Sequence, residues 1–230
     1  MAPGSVPSGT TVRSAASGTP STFLVTDIEG STRLWEEQPV AMASALALHD
    51  ALLRAVVEGR GGTVFKTTGD GLLAVFADPA AAFAATLDGQ RALRDADWGD
   101  TGGVRVRMAI HSGTAEFRDG DYFGQALNRS ARILGIGHGG QILCSAMSAV
   151  LVGDALPAGV ELQDLGSHRL PGIDRPEQVF QVTVADLRRD FRRSARSAPG
   201  GRTCPSSSRH LSGESASWRI SRPWPSATAS

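Results

Sequence analysis

Two stretches decide the fold: "TFLVTDIEGST", residues 22–32, and "TVFKTTGDGLLAVFA", residues 63–77. The first is a short apolar run, suited to a buried strand, that stops at Asp27 and passes through Gly30 into a helical pattern. The second is two strand-like runs joined by Gly-Asp-Gly, a strong hairpin signal. Between them, an Ala/Leu-rich segment from about Val40 to Glu58 has helical periodicity. It is closed by "GRGG", because glycine accepts the left-handed conformation that follows a last turn.

Working outward, "DPAAAFAATLDGQRALRDA" (78–96) reads as a helix with Asp78 as N-cap and Pro79 at its first position. "VRVRMAIHSG" (104–113) alternates as a strand, "TAEFRDGDYFG" (114–124) reads as a second hairpin, and "QALNRSARILGIG" (125–137) as a helix. A strand in 140–145, a short helix in 145–152 and strands in 160–170 and 177–182 follow. The order predicts an α+β fold, with a ferredoxin-like βαββαβ core and a C-terminal α/β extension.

The chain has 230 residues, 41% of them hydrophobic, enough for one domain of ordinary size. The formal net charge is zero, which argues against a general nucleic-acid or membrane-surface binder. The charge is unevenly placed: residues 188–230 carry nine arginines against Asp190 and Glu214, a local +7, so residues 1–187 carry −7. Residues 1–20, rich in Ser, Gly, Thr and Pro, read as a disordered leader, and residues 187–230 as a disordered Arg/Ser/Pro-rich tail. The domain between them spans residues 21–186. Two cysteines make no disulfide framework, and no apolar run reaches the length of a signal peptide or membrane span. The expectation is a cytoplasmic protein with no membrane segment.

Asp27 and Asp70 each admit two readings. Asp27 could cap the following helix and Asp70 could simply be a turn residue. If the first strand and the hairpin are sheet neighbours, both carboxylates meet at one edge and suit Mg²⁺ or Mn²⁺, which take few carboxylates and leave positions for phosphate oxygens. Gly30, Ser31 and Thr32 would then offer backbone N–H groups to a polyphosphate. A third group is Asp121, Asn128 and Arg132. The last two stand four apart on a helix and share a face, which equally fits a plain exposed polar face. Lys66 is the only lysine beside 22 arginines, and it lies four residues before Asp70.

With these residues in hand the chain resembles the catalytic domain of class III nucleotidyl cyclases, the adenylate and guanylate cyclases, over about residues 22–182. The resemblance is to actinobacterial adenylate cyclases whose domain opens with "TDIEGSTRLWE". It implies that Asp27, Asp70 and the Ile28 carbonyl hold two divalent ions per site. It also implies that Lys66 and Asp121 read adenine, that Asn128 positions the ribose and that Arg132 stabilises the transition state. The substrate implied is ATP. The implied site forms in a homodimer, with Asp27 and Asp70 of one chain facing Lys66, Asp121, Asn128 and Arg132 of the other, and no nucleic acid is contacted by the domain. The chemistry agrees: lysine only donates and an ionised aspartate only accepts, which fits the N1 acceptor and 6-amino donor of adenine and opposes guanine. One departure stands out. Relatives often carry lysine before glycine in a segment like "HRLPGI", and here that place is Pro171. A non-catalytic nucleotide-sensing or dimerisation module is the alternative reading. His111, His138 and His168 have no metal-ligand spacing and read as structural.

Overall fold

In the computed structural model, residues 20–191 are described; the expected leader, but for its last residue, and the tail from 192 lie outside them. A seven-stranded sheet forms the centre, in the order β2-β3-β1-β4-β7-β9-β8. Its first four strands are β1 (Ser21–Ile28), the hairpin β2 (Thr63–Thr68) and β3 (Gly71–Phe76), and β4 (Val106–Gly113). With helices α1 (Ser31–Glu37), α2 (Pro39–Gly59) and α3 (Pro79–Asp95) they make the expected βαββαβ core. The extension adds α4 (Gln125–Leu134), β7 (Ile142–Ser145), α5 (Ala146–Val152), β8 (Glu161–His168) and β9 (Glu177–Thr183). A separate hairpin, β5 (Glu116–Arg118) and β6 (Asp121–Phe123), lies between β4 and α4.

The sheet has a full face and a sparse one. Alternate residues of β1 divide between them: Leu24 and Ile28 join the large core under α2 and α3, while Val25 joins a small cluster with Ile133 and Leu134 of α4. The helical stretch after Gly30 is two helices, because Pro39 begins a new one and Gln38 leaves the helical conformation before it (φ −143°). Helix α2 is apolar and long enough to cross a membrane by length and composition. One of its stripes, Met42, Ala45, His49, Leu53 and Val57, is nevertheless packed into the core, as expected of an amphipathic core helix. Asp78 caps α3 as expected, accepting from the Ala80 N–H at 2.9 Å.

The structured part runs past 186. Leu187 packs against the core, Gln181 donates to the Arg189 carbonyl at 2.8 Å, and Phe191 lies parallel to His138 with ring centroids 6.3 Å apart. Cys144 is fully buried, and burial pushes its thiol up to about 12, so it is an inert core residue. Cys204 lies outside the described residues.

Two packing details generate tests. A Cβ on Gly71 would stand 2.6 Å from the Thr26 carbonyl oxygen, so only glycine lets β3 lie this close to β1. Gly71→Ala is expected to destabilise the fold by about 1–3 kcal/mol, read as a lower urea midpoint at unchanged slope. His111, 4% exposed, meets Ser145 Oγ through Nδ1 at 2.7 Å, within a buried chain of hydroxyls from Ser145 through Ser148 and Ser112 to Thr22. Burial, and then the charge of Arg129, push its pKa from 6.5 down to about 4. A depressed histidine stabilises the fold above its unfolded pKa and loses that contribution as pH falls through the folded one. Urea melts should therefore show a loss of about 3 kcal/mol between pH 6.5 and 4, flattened in His111→Gln.

Candidate active site

Asp27 and Asp70 are brought together by sheet pairing. Asp27 ends β1, and the backbone N–H of its neighbour Ile28 donates to the Asp70 carbonyl across to the hairpin at 3.2 Å. The Ile28 side chain is buried in the core, so only its main chain is available to a ligand. The Asp70 carboxylate makes no hydrogen bond or ion pair among the described residues. Asp27 is held differently. Its register partner on β4 is Arg107, whose Nε and Nη2 donate to Asp27 Oδ2 at 2.6 and 2.5 Å. Burial pushes the Asp27 carboxyl up, the hydrogen bond and charge of Arg107 pull it back, and the charge of Asp70 adds to the push.

That arrangement fits a hard cation. Two half-buried carboxylates repel one another, one has no partner and the other is neutralised by a guanidinium. Among the described residues no three His, Cys, Asp or Glu groups converge, so a cation held here would meet two carboxylate side chains at most. Gly30, at φ 73°, turns the chain into α1, so that Ser31 and Thr32 open the helix three residues after Ile28. No side chain caps this start, and α1 is only seven residues long, so individual N–H groups rather than a helix dipole are what it can offer an anion.

Lys66 and Asp121 form an ion pair through Nζ and Oδ2 within one chain. Two local features place them. A bulge between Val64 and Lys66 lets Val64 face the large core while Lys66 pairs with Leu73, so Lys66 comes out on the sparse face instead. In the second hairpin Asp119 (φ 53°) and Gly120 (φ 80°) are both left-handed, the two-residue turn that sets Asp121 at the start of β6. The Tyr122 N–H donates to Asp121 Oδ1 at 2.8 Å and fixes the carboxylate further. Below the pair, the Tyr122 ring packs on Phe65, Phe23 and Phe117, with centroids 4.9, 5.5 and 4.8 Å away.

Asn128 and Arg132 stand on α4, which buries Ala126, Ser130, Ile133 and Leu134 and exposes these two on its other side. Neither makes a side-chain hydrogen bond or ion pair among the described residues. The structure thus brings the residues together as three pairs on one side of the sheet, and no hydrogen bond or ion pair connects one pair to another. Pro171 and Gly172 (φ 72°) form the centre of a tight turn closed by the Ile173 N–H on the Leu170 carbonyl at 3.1 Å, with exposed Arg169 and Arg175 on either side.

The sequence reading missed Arg107 and the aromatic platform. Arg107 stands two residues after Arg105 in the sequence, and only the pairing register, 80 positions apart, shows that it faces Asp27. The platform joins β1, β2, β5 and β6, so no local periodicity reveals it.

The family model described as the adenylate and guanylate cyclase catalytic domain matches residues 15–183. An uncharacterized protein of Mycobacterium tuberculosis is 38% identical over 182 residues, which cover 77% of this chain and 61% of that protein, so the chain spans about three fifths of its relative's length. Among solved structures, an adenylate/guanylate cyclase/hydrolase from Silicibacter pomeroyi superposes with a TM-score of 0.62 at 32% identity, covering 73% of this chain and 98% of that one. The adenylyl cyclase CyaB from P. aeruginosa does so with a TM-score of 0.60 at 28% identity, covering 75% and 96%. This chain belongs to the family of adenylate and guanylate cyclase catalytic domains.

Proposed function

We propose that this cyclase domain is an adenylate cyclase that converts ATP to 3′,5′-cyclic AMP and pyrophosphate, acting as a homodimer in the cytoplasm. The observation that carries the choice of base is the Lys66–Asp121 pair, a donor-only group set beside an acceptor-only group. Lys66 keeps further N–H groups and Asp121 further lone pairs after pairing, so together they offer adenine N1 a donor and its 6-amino group an acceptor. Guanine presents the reverse order and would leave both groups facing their own kind, at about 1–3 kcal/mol for each unmade bond. The Tyr122 platform keeps the pair in place.

The ribose 3′-oxygen attacks the α-phosphorus and pyrophosphate leaves from the opposite side. Asn128 hydrogen-bonds the sugar and holds it in line for that attack. Arg132 meets the charge that grows on the α-phosphoryl oxygens, and its exposure on α4, with no side-chain partner among the described residues, leaves it available for this. Asp27, Asp70 and the Ile28 carbonyl would hold two divalent ions, Mg²⁺ or Mn²⁺, whose chemistry is to neutralise phosphate charge and acidify the 3′-hydroxyl. Gly30, Ser31 and Thr32 receive phosphate oxygens on their backbone N–H groups. The missing lysine at Pro171 removes one phosphate contact, which Arg169 or Arg175 can replace from either side of the turn.

Support for the dimer comes from the single chain. Its Asn128 and Arg132 have no link to Asp27 and Asp70, and Phe117 and Phe123 on the second hairpin are 39% and 40% exposed. In the dimer the two carboxylates of one chain face Lys66, Asp121, Asn128 and Arg132 of the other.

The test is product formation by the purified chain with ATP or GTP and Mn²⁺. Cyclic AMP is expected with at least about tenfold preference over cyclic GMP, since one unmade bond at the base is worth about that factor. Asp70→Ala should abolish it, and Lys66→Ala should lower kcat/KM for ATP and narrow the preference. Cyclic GMP as the main product, or cyclic AMP formation indifferent to Asp70, would overturn the reading. A folded dimer that binds ATP and forms no product would establish the nucleotide-sensing module instead.

A further inference from the structure

Glu29 lies where the candidate metal edge passes into α1, and it takes no part in the reaction as proposed. It makes three bonds at one position. Its backbone N–H donates to the Arg105 carbonyl at 2.8 Å, its Oε1 accepts the Gly139 N–H at 3.0 Å, and its Oε2 pairs with Arg105 Nη2 at 3.1 Å. The two side-chain bonds are unequal. The Arg105 side chain is 67% exposed, so that ion pair contributes little. The Gly139 bond joins a carboxylate to a main-chain N–H in a partly buried place, which is the stronger kind.

The Gly139 end of this bond is firmly based. The Gly140 N–H donates to the Val106 carbonyl at 2.9 Å, the Gln141 N–H to the His138 carbonyl at 2.9 Å, and the His138 N–H to Gln141 Oε1 at 3.0 Å. Gln141 Nε2 donates in turn to Gln181 Oε1 on β9 at 2.7 Å. The approach is also close: a Cβ on Gly139 would stand 2.5 Å from Arg105 Cβ and 2.8 Å from Glu29 Oε2. The turn 138–141 is therefore a fixed point, and the carboxylate ties to it a loop 110 positions away in the chain.

The main-chain bond of Glu29 decides where the neighbouring carbonyl points. In a trans peptide the C=O and N–H lie in one plane and point opposite ways. The Glu29 N–H points at Arg105, just before β4, so the Ile28 carbonyl points away from β4, to the side on which the Ile28 N–H meets Asp70. One residue later Gly30 (φ 73°) turns the chain, and no side chain caps the helix start. Glu29 is thus the last anchored residue before a left-handed turn.

We propose that Glu29 is a positioning residue for the divalent ions: by tying the loop to the Gly139 turn, it keeps the Ile28 carbonyl aimed at the edge shared by Asp27 and Asp70. Both of its carboxylate oxygens are engaged, so it acts through the main chain rather than as a ligand. The proposal rests on reading Asp27 and Asp70 as ligands of divalent ions.

The test is Mn²⁺ binding to the nucleotide-free full chain, read from the electron paramagnetic resonance signal of free Mn²⁺, beside the Mn²⁺ dependence of turnover. Glu29→Ala is expected to weaken Mn²⁺ binding about tenfold, the scale on which residues behind metal ligands act. The Mn²⁺ concentration for half-maximal rate should rise in step, while KM for ATP at saturating Mn²⁺ stays nearly unchanged. Glu29→Gln keeps an oxygen for the Gly139 N–H and should restore most of the affinity. Gly139→Ala leaves the carboxylate intact but pushes it aside, and should imitate Glu29→Ala. Arg105→Ala removes only an exposed partner and should bind Mn²⁺ like the wild type. Unaltered amide exchange in β4 and β7 separates these effects from unfolding. The Mn²⁺ titration needs no turnover, so this proposal and the cyclase reading can fail separately. Glu29→Ala binding as tightly as the wild type, Glu29→Gln as weak as Glu29→Ala, or a loss that Gly139→Ala does not share would each overturn the proposal, even in an active cyclase. The expected pattern in a chain that forms no cyclic nucleotide would uphold it and overturn the cyclase reading alone. A wild type that binds no Mn²⁺ would overturn it together with the metal reading of the two aspartates.

Discussion

The hydrogen bond from the Ile28 N–H to the Asp70 carbonyl joins the end of the first strand to the tip of the hairpin, and the candidate metal site depends on it. It forms because β3 approaches β1 with nothing between them: Gly71 has no side chain, and the Thr26 hydroxyl bonds both the N–H and the carbonyl of Leu72. Two aspartates 43 positions apart are thereby held as neighbours at one edge, where the charge of Asp70 raises the cost of charging Asp27. Arg107 offsets that cost for Asp27 only. The site is thus charged and incompletely compensated, the condition in which an added cation contributes most.

The division of the sheet into a full face and a sparse face follows from the same strands. Helices α2 and α3 cover one side with a large core, whereas α4 and the second hairpin cover only part of the other. On that second side stand Asp27, Lys66 and Arg107, and around it Asp121, Asn128 and Arg132. A single bulge at Phe65 decides that Lys66 belongs to this group; regular alternation would have set it on the same side as Val64, among core residues. Asp27 with Asp70 and Lys66 with Asp121 are each brought together by strand pairing or an ion pair, and the proposed dimer would set a second surface opposite them.

Much of this was legible in the sequence, for identifiable reasons. Gly-Asp-Gly between two apolar runs specifies a hairpin, Asp78-Pro79 specifies a helix start, and glycine closing α2 is needed for its left-handed turn; each is local chemistry that the fold obeys. The pairing of Asp27 with Asp70 followed from assigning those elements to one sheet. What stayed hidden is what depends on register over long separations. Arg107 faces Asp27 only through the alignment of β1 with β4, and Tyr122 meets Phe23 and Phe65 only after three strands have been placed. The start of α2 near Val40 was legible as well, and Pro39 marks the break from α1. Leu187 to Phe191 looked like tail because arginine dominates the segment, yet Leu187 and Phe191 are packed against the domain and the Arg189 carbonyl is hydrogen-bonded.

The central claim is that each active site takes Asp27 and Asp70 from one chain and Asn128 and Arg132 from another. Mixing two inactive variants tests it most directly: Asp70→Ala and Arg132→Ala, each purified alone, then combined under conditions that let chains exchange. Random pairing makes half of the dimers mixed, each with one intact site of two, so cyclic AMP formation should return to roughly a quarter of the wild-type rate. A mixture no more active than its components, although exchange of chains is demonstrated, would contradict a shared site and place the chemistry within a single chain.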